Sequence, residues 1–103
     1  MLVVLTTTPT EEEAEQLARQ IVYQKLAACV QVLPNIKSFY FWEGRIQKDG
    51  ESLLLIKTLD DRYSDLEKFI LEHHSYDVPE IVALNSENVS GSYLKWLTEY
   101  IRS

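Results

Sequence analysis

Apolar side chains change their spacing along this chain, and each change marks an element. Leu2 to Leu5 form a short continuous apolar run that ends in Thr6, Thr7 and Thr8, the pattern of a fully buried strand. Pro9 closes it. Thr10 with Glu13 makes a capping-box pattern, and Glu11, Glu12 and Glu13 place negative charge in a first turn, where the helix dipole favours it. Ala14, Leu17, Ala18, Ile21 and Val22 follow at helical spacing, which predicts a helix over about residues 10 to 25.

Ala27 to Val32 reads as a second strand, kinked at Pro34-Asn35. Ile36 to Trp42 continues extended and is the most aromatic stretch. Glu43-Gly44 predicts a tight reversal, and Arg45 to Thr58 the returning strand, with a bulge or turn at Asp49-Gly50. Asp60 and Asp61 are placed to cap a second helix, whose stripe of Tyr63, Leu66, Phe69 and Ile70 runs to about His73. Pro79 opens a short strand, Glu80 to Leu84. Ser90 or Ser92 begins a last helix with Tyr93, Leu94, Trp96, Leu97 and Tyr100 as its apolar positions. The order β-α-β-β-α-β followed by α predicts an α+β fold, a ferredoxin-like sandwich with an extra C-terminal helix and a long β2–β3 hairpin.

The pattern also predicts an oligomer. Side chains alternate faces along a strand, so Ile36, Tyr40 and Trp42 point one way and Phe39 and Phe41 the other. Leu53 to Ile56 again puts apolar groups on both faces. Helices on one side cannot cover both, and each large side chain left in water forgoes roughly 1.5–3 kcal/mol of burial. A second copy is the simplest cover, and a sheet curled on itself is the alternative.

At 103 residues the chain fits one domain, 1–103. Its 10 basic and 16 acidic residues leave a net charge of −6, which disfavours a nucleic-acid partner and permits a cation. The aromatic run Phe39 to Trp42 has no basic patch beside it, so packing is preferred over base stacking. One cysteine forms no intrachain disulfide. The opening apolar run, with no basic stretch before it, predicts neither a signal peptide nor a membrane span, and hence a cytoplasmic protein. No His-Glu-x-x-His pattern, phosphate-cradling loop or nucleophile elbow occurs, and the three glycines are scattered at 44, 50 and 91. A binding protein is expected, not an enzyme, and no organic cofactor. A His-Lys-Glu pocket with acid–base capacity is the one catalytic alternative.

Leu26-Ala27-Ala28-Cys29-Val30, Ser38 to Gly44, Glu51 with Leu54 to Thr58, His74 to Glu80 and Tyr93 to Leu97 resemble, in order, the successive motifs of the CutA family over essentially the whole chain. The resemblance implies a homotrimer whose long hairpins pair across subunits. It also implies an architecture similar to PII signalling proteins, and a role in tolerance of divalent cations, copper above all. Two positions depart from the family: Ser75 stands where a proline is usual, and Thr6 where members with a described copper site carry a cysteine. A hydroxyl is a poor copper ligand beside a thiolate.

Candidate site residues follow. His73 and His74, adjacent at a helix end, are candidate metal ligands for copper or another divalent cation, but one metal would need the helix to break between them. Their alternative is a pair of partly exposed histidines, one favoured by the helix dipole. Cys29 is either a small buried hydrophobe or a thiol ligand that needs a partner. Lys57, within an apolar strand, wants a carboxylate, and Glu80 is the candidate. The resemblance groups Tyr40, Trp42, Lys57, His74, Tyr76 and Glu80 around an intersubunit cleft, which is either a small-ligand or protein-binding site or a structural ion pair at a trimer contact. Asp60-Asp61 and Asp77 with Glu80 read as solvated caps and turns, with nothing like a calcium loop.

Overall fold

The computed structural model describes residues 1–103. Strand β1 (Leu2–Thr8) leads into helix α1 (Glu11–Tyr23), and strands β2 (Cys29–Trp42) and β3 (Arg45–Thr58) form the hairpin. A 3-10 turn at Asp60–Arg62 precedes α2 (Tyr63–His73). Strand β4 (Val82–Asn85) and helix α3 (Gly91–Arg102) complete the chain. The sheet has the order β2-β3-β1-β4, with every pair antiparallel.

The helix-covered face carries Leu2 and Val4 of β1 with Leu54 and Ile56 of β3, packed on Ala14, Leu17 and Ile21 of α1 and Leu66, Phe69 and Ile70 of α2. At roughly 1.5–3 kcal/mol per fully buried aliphatic side chain, this cluster dominates the stability of the chain. The threonines extend β1 beyond its apolar run, and Thr6 and Thr8 lie fully buried on the same face. Helix α3 is not a third layer over that face. Its Leu97 and Ile101 pack on Ala28 at the end of the sheet, and the Tyr100 hydroxyl donates to the Val22 carbonyl of α1.

Several boundaries depart from the sequence expectation. The Thr10 hydroxyl accepts from the Glu13 amide at 3.2 Å, as a capping box requires, but the Glu13 carboxylate turns away to accept from the Ser75 amide at 3.1 Å. Asp60 and Asp61 cap nothing with their side chains: the 3-10 turn intervenes, and Asp61 instead pairs with Arg102 at 2.8 Å. The hairpin bulge lies on the opposite strand from Asp49-Gly50, at Pro34-Asn35, where two residues face Ser52 alone. Pro34 has no N–H for the ladder and Asn35 takes φ 60°, so the irregularity falls there. Beyond it, pairing runs unbroken to a two-residue turn with positive φ at both Glu43 and Gly44. The hairpin gives the chain its long dimension, 46 Å against 26 and 22 Å.

Candidate functional site

The other sheet face has no helix layer. Register places Cys29, Lys57, Val3 and Leu84 in one row across the four strands on that face, and Gln31, Leu55, Leu5 and Val82 in the next. Leu33 is 42% exposed, Val82 45% and Leu84 51%, so an apolar surface interrupted by a single ammonium faces outward. The hairpin continues it with Tyr40 and Trp42 on the same face, and Phe39, Phe41 and Ile46, also exposed, on the reverse.

The two histidines are separated by the end of α2. His73 closes the helix, stacks on Phe69 with ring centroids 4.1 Å apart, and directs Nδ1 at the Phe69 carbonyl, 2.9 Å away. That carbonyl only accepts, so Nδ1 carries the proton and the lone pair is left on Nε2. His74 has left the helix with extended backbone, and its ring is fully buried. Its Nε2 donates to the Thr7 carbonyl at 2.6 Å and its Nδ1 accepts the Tyr76 amide at 3.0 Å, with Glu13 at 3.7 Å. Both ring nitrogens are therefore occupied. Thr6, where a third ligand would stand by resemblance, is fully buried on the helix-covered face, one residue before the carbonyl that His74 engages. No three His, Cys, Asp or Glu side chains of the chain gather at metal-binding spacing.

The cleft residues fall into two groups. At the hairpin base the Tyr76 hydroxyl donates to Glu51 at 2.9 Å and the Tyr40 hydroxyl to Asp49. Burial first, then the hydrogen bond to Glu51, hold the Tyr76 phenol far above its ordinary range, while the bond to Asp49 raises Tyr40. Trp42 lies further out at the exposed tip, its carbonyl accepting from Gln47 at 3.1 Å. Lys57 belongs to the opposite end of β3, six positions from Glu51 (about 20 Å at strand rise), with its Nζ 5.7 Å from the centre of the Tyr93 ring. The expected Lys57–Glu80 ion pair is not formed within the chain: Glu80 precedes β4 and stays exposed, whereas Lys57 shares its row with Leu84.

Sequence reasoning did not select Asp49 and Glu51 as the partners of the two tyrosines. The alternation Asp49, Glu51 on one strand face opposite Tyr40 was the available signal. Nor did it place Tyr93 beside Cys29, since their contact joins α3 to the start of β2. The Tyr93 phenol is raised by burial and then by the neighbouring Cys29.

Residues 2–100 match the family model described as CutA1 divalent ion tolerance protein. The chloroplastic CutA protein of Arabidopsis thaliana is 44% identical over 99% of this chain, which spans only 56% of that relative's length. The divalent-cation tolerance protein CutA of Thermus thermophilus is 43% identical over 94% of both chains. The crystal structure of CutA1 from Oryza sativa superposes with a TM-score of 0.94 at 42% identity, covering 96% of this chain and 91% of that one. No helix here is long and apolar enough to cross a membrane. With a four-stranded antiparallel sheet and three helices that match those structures, and a sequence that matches over nearly its full length, this chain belongs to the CutA1 divalent ion tolerance family.

Proposed function

We propose that the protein is a homotrimeric, metal-responsive module of divalent-cation tolerance, with copper as the metal, acting by binding and not by catalysis. The chain is one ferredoxin-like domain over 1–103, and three copies turn their uncovered sheet faces toward one another. Family membership carries the cation reading, and the apolar face supports the assembly. The inherited ligand set does not fit a closed copper site within one chain, because the His74 nitrogens are engaged. His73 offers Nε2 at an exposed helix end, so the metal is held weakly there, with carboxylates or a neighbouring chain completing its coordination. A free, unpaired Cys29 fits a reducing compartment, and we place the protein in the cytoplasm.

Calorimetry with copper tests this. Heat of binding should be present in the wild type and absent in His73→Ala and in the His73→Ala, His74→Ala double variant. Unchanged affinity in the single variant removes His73 as a ligand.

A second reading is a PII-like signalling trimer that holds a small ligand or a protein segment between subunits. One observation favours it: Lys57 is a lone charge in an apolar face, remote from Tyr40, Trp42, Tyr76 and Glu80 of its own chain. In a cleft between copies, Lys57 of one chain would meet these residues of the next.

A further inference from the structure

We infer that the cavity where the hairpin leaves the body is a binding site for a hard divalent cation, calcium above magnesium, held by Glu11, Asn35 and Ser52. The cavity measures about 230 Å³, opens to solvent, and is lined by Pro9, Glu11, Asn35, Gly50, Glu51 and Ser52. The Pro9 ring is its only apolar side chain, and its only charged side chains are carboxylates. Ser52 is the residue that points to a ligand. It is 3% exposed, in the buried row of β3 that continues with Leu54 and Ile56, yet its hydroxyl bonds to nothing in the chain. Thr8, paired with it across the strands, satisfies its own hydroxyl on the Thr10 carbonyl at 2.7 Å. The Ser52 hydroxyl is not sealed in the core as that of Thr6 is, so its remaining surface is the one turned to the cavity. A nearly buried hydroxyl without a partner is costly unless a ligand supplies one. The bulge brings the second ligand. Pro34 and Asn35 together face Ser52, and Asn35, at φ 60°, leaves the ladder and lines the cavity with an amide oxygen to offer. Glu11 brings the charge from the first turn of α1, where it and Glu12 outweigh the roughly half unit of positive charge at a helix start. Glu51 adds a carboxylate that accepts the Tyr76 hydroxyl through Oε2 and keeps Oε1 free. Lys37, opposite Gly50 in register, does not line the cavity. A donor set of oxygens alone selects a hard cation over copper. With so few carboxylates, water entering at the open mouth completes the coordination, and irregular backbone suits the flexible shell of calcium better than the strict octahedron of magnesium.

This site goes beyond the copper reading and does not rest on it, since His73 is not among its ligands. Calorimetry with calcium chloride and then magnesium chloride, at an ionic strength fixed with sodium chloride, tests it. The wild type and His73→Ala should bind calcium equally at a single site, and magnesium more weakly. Glu11→Gln and Asn35→Gly should each weaken calcium binding more than about tenfold, and Ser52→Ala several-fold. Glycine keeps the left-handed backbone at position 35, and glutamine and alanine keep the shape at 11 and 52, so the far-UV spectrum should not change. Absence of binding heat in the wild type overturns the site. Calcium affinity that is the same in all three variants also overturns it, because the ion then sits elsewhere on the acidic surface. Loss of calcium binding in His73→Ala overturns it as well, and moves the cation to the end of α2 while leaving the copper reading in place.

Discussion

Thr6 sits in the core with its hydroxyl unpartnered and no surface exposed. Desolvating a hydroxyl without a hydrogen bond is unfavourable, and valine has nearly the same shape. Thr6→Val should therefore stabilise the fold by about 1 kcal/mol, read as a higher denaturation midpoint at unchanged slope. A lower midpoint would mean that the hydroxyl has a partner, such as a trapped water. His74 teaches the complementary lesson. Its residue type suggested a ligand, but its ring braces the segment after α2 against β1 through the Thr7 carbonyl. That partner lies 67 residues away, so no local pattern announces it.

At the scale of elements, the hairpin turn places Glu43 at φ 52° and Gly44 at φ 77°. Glycine accepts such a conformation freely, whereas glutamate is strained in it. Asparagine is the preferred residue at the first of two such positions. Glu43→Asn should raise stability by roughly 0.5–1 kcal/mol, measurable as a higher Tm. An unchanged or lower Tm would show that the turn is not strained. The end of α1 makes the same point without glycine: Lys25 takes φ 59°, its amide bonding to Val22 and that of Leu26 to Ile21. Its ammonium donates to the Ser103 carbonyl at 2.9 Å, tying the end of α1 to the residue that follows α3. The helices, the strands and the hairpin were legible because their periodicities are local. The kink expected at Pro34-Asn35 is where the bulge falls, because these residues cannot continue the ladder, whereas the bulge or turn expected at Asp49-Gly50 does not occur: glycine at 50 is only a general turn signal.

For the whole molecule, the decisive asymmetry is a sheet with one face under α1 and α2 and the other bare. Leu55 is central on the bare face, between Gln31 and Leu5, while its neighbours Leu54 and Ile56 point into the core. Leu55→Asp should thus split the proposed trimer while sparing the fold, giving a 12.0 kDa particle in sedimentation with an unchanged far-UV spectrum. A variant that still sediments as a trimer would place the subunit contact elsewhere.

The amino-acid pattern by itself determined the element order, the greasy character of both strand faces and the family, because each depends on residues near in sequence or on motifs in series. Tertiary structure alone decided which histidine nitrogen stays open, that Lys57 stands apart from Tyr40, Tyr76 and Glu80, and that Tyr93 comes to Cys29. Those outcomes depend on register, on one inserted residue at the bulge and on where α3 crosses the end of the sheet. A single residue of register sends a side chain to the other face, and composition and spacing carry no record of it.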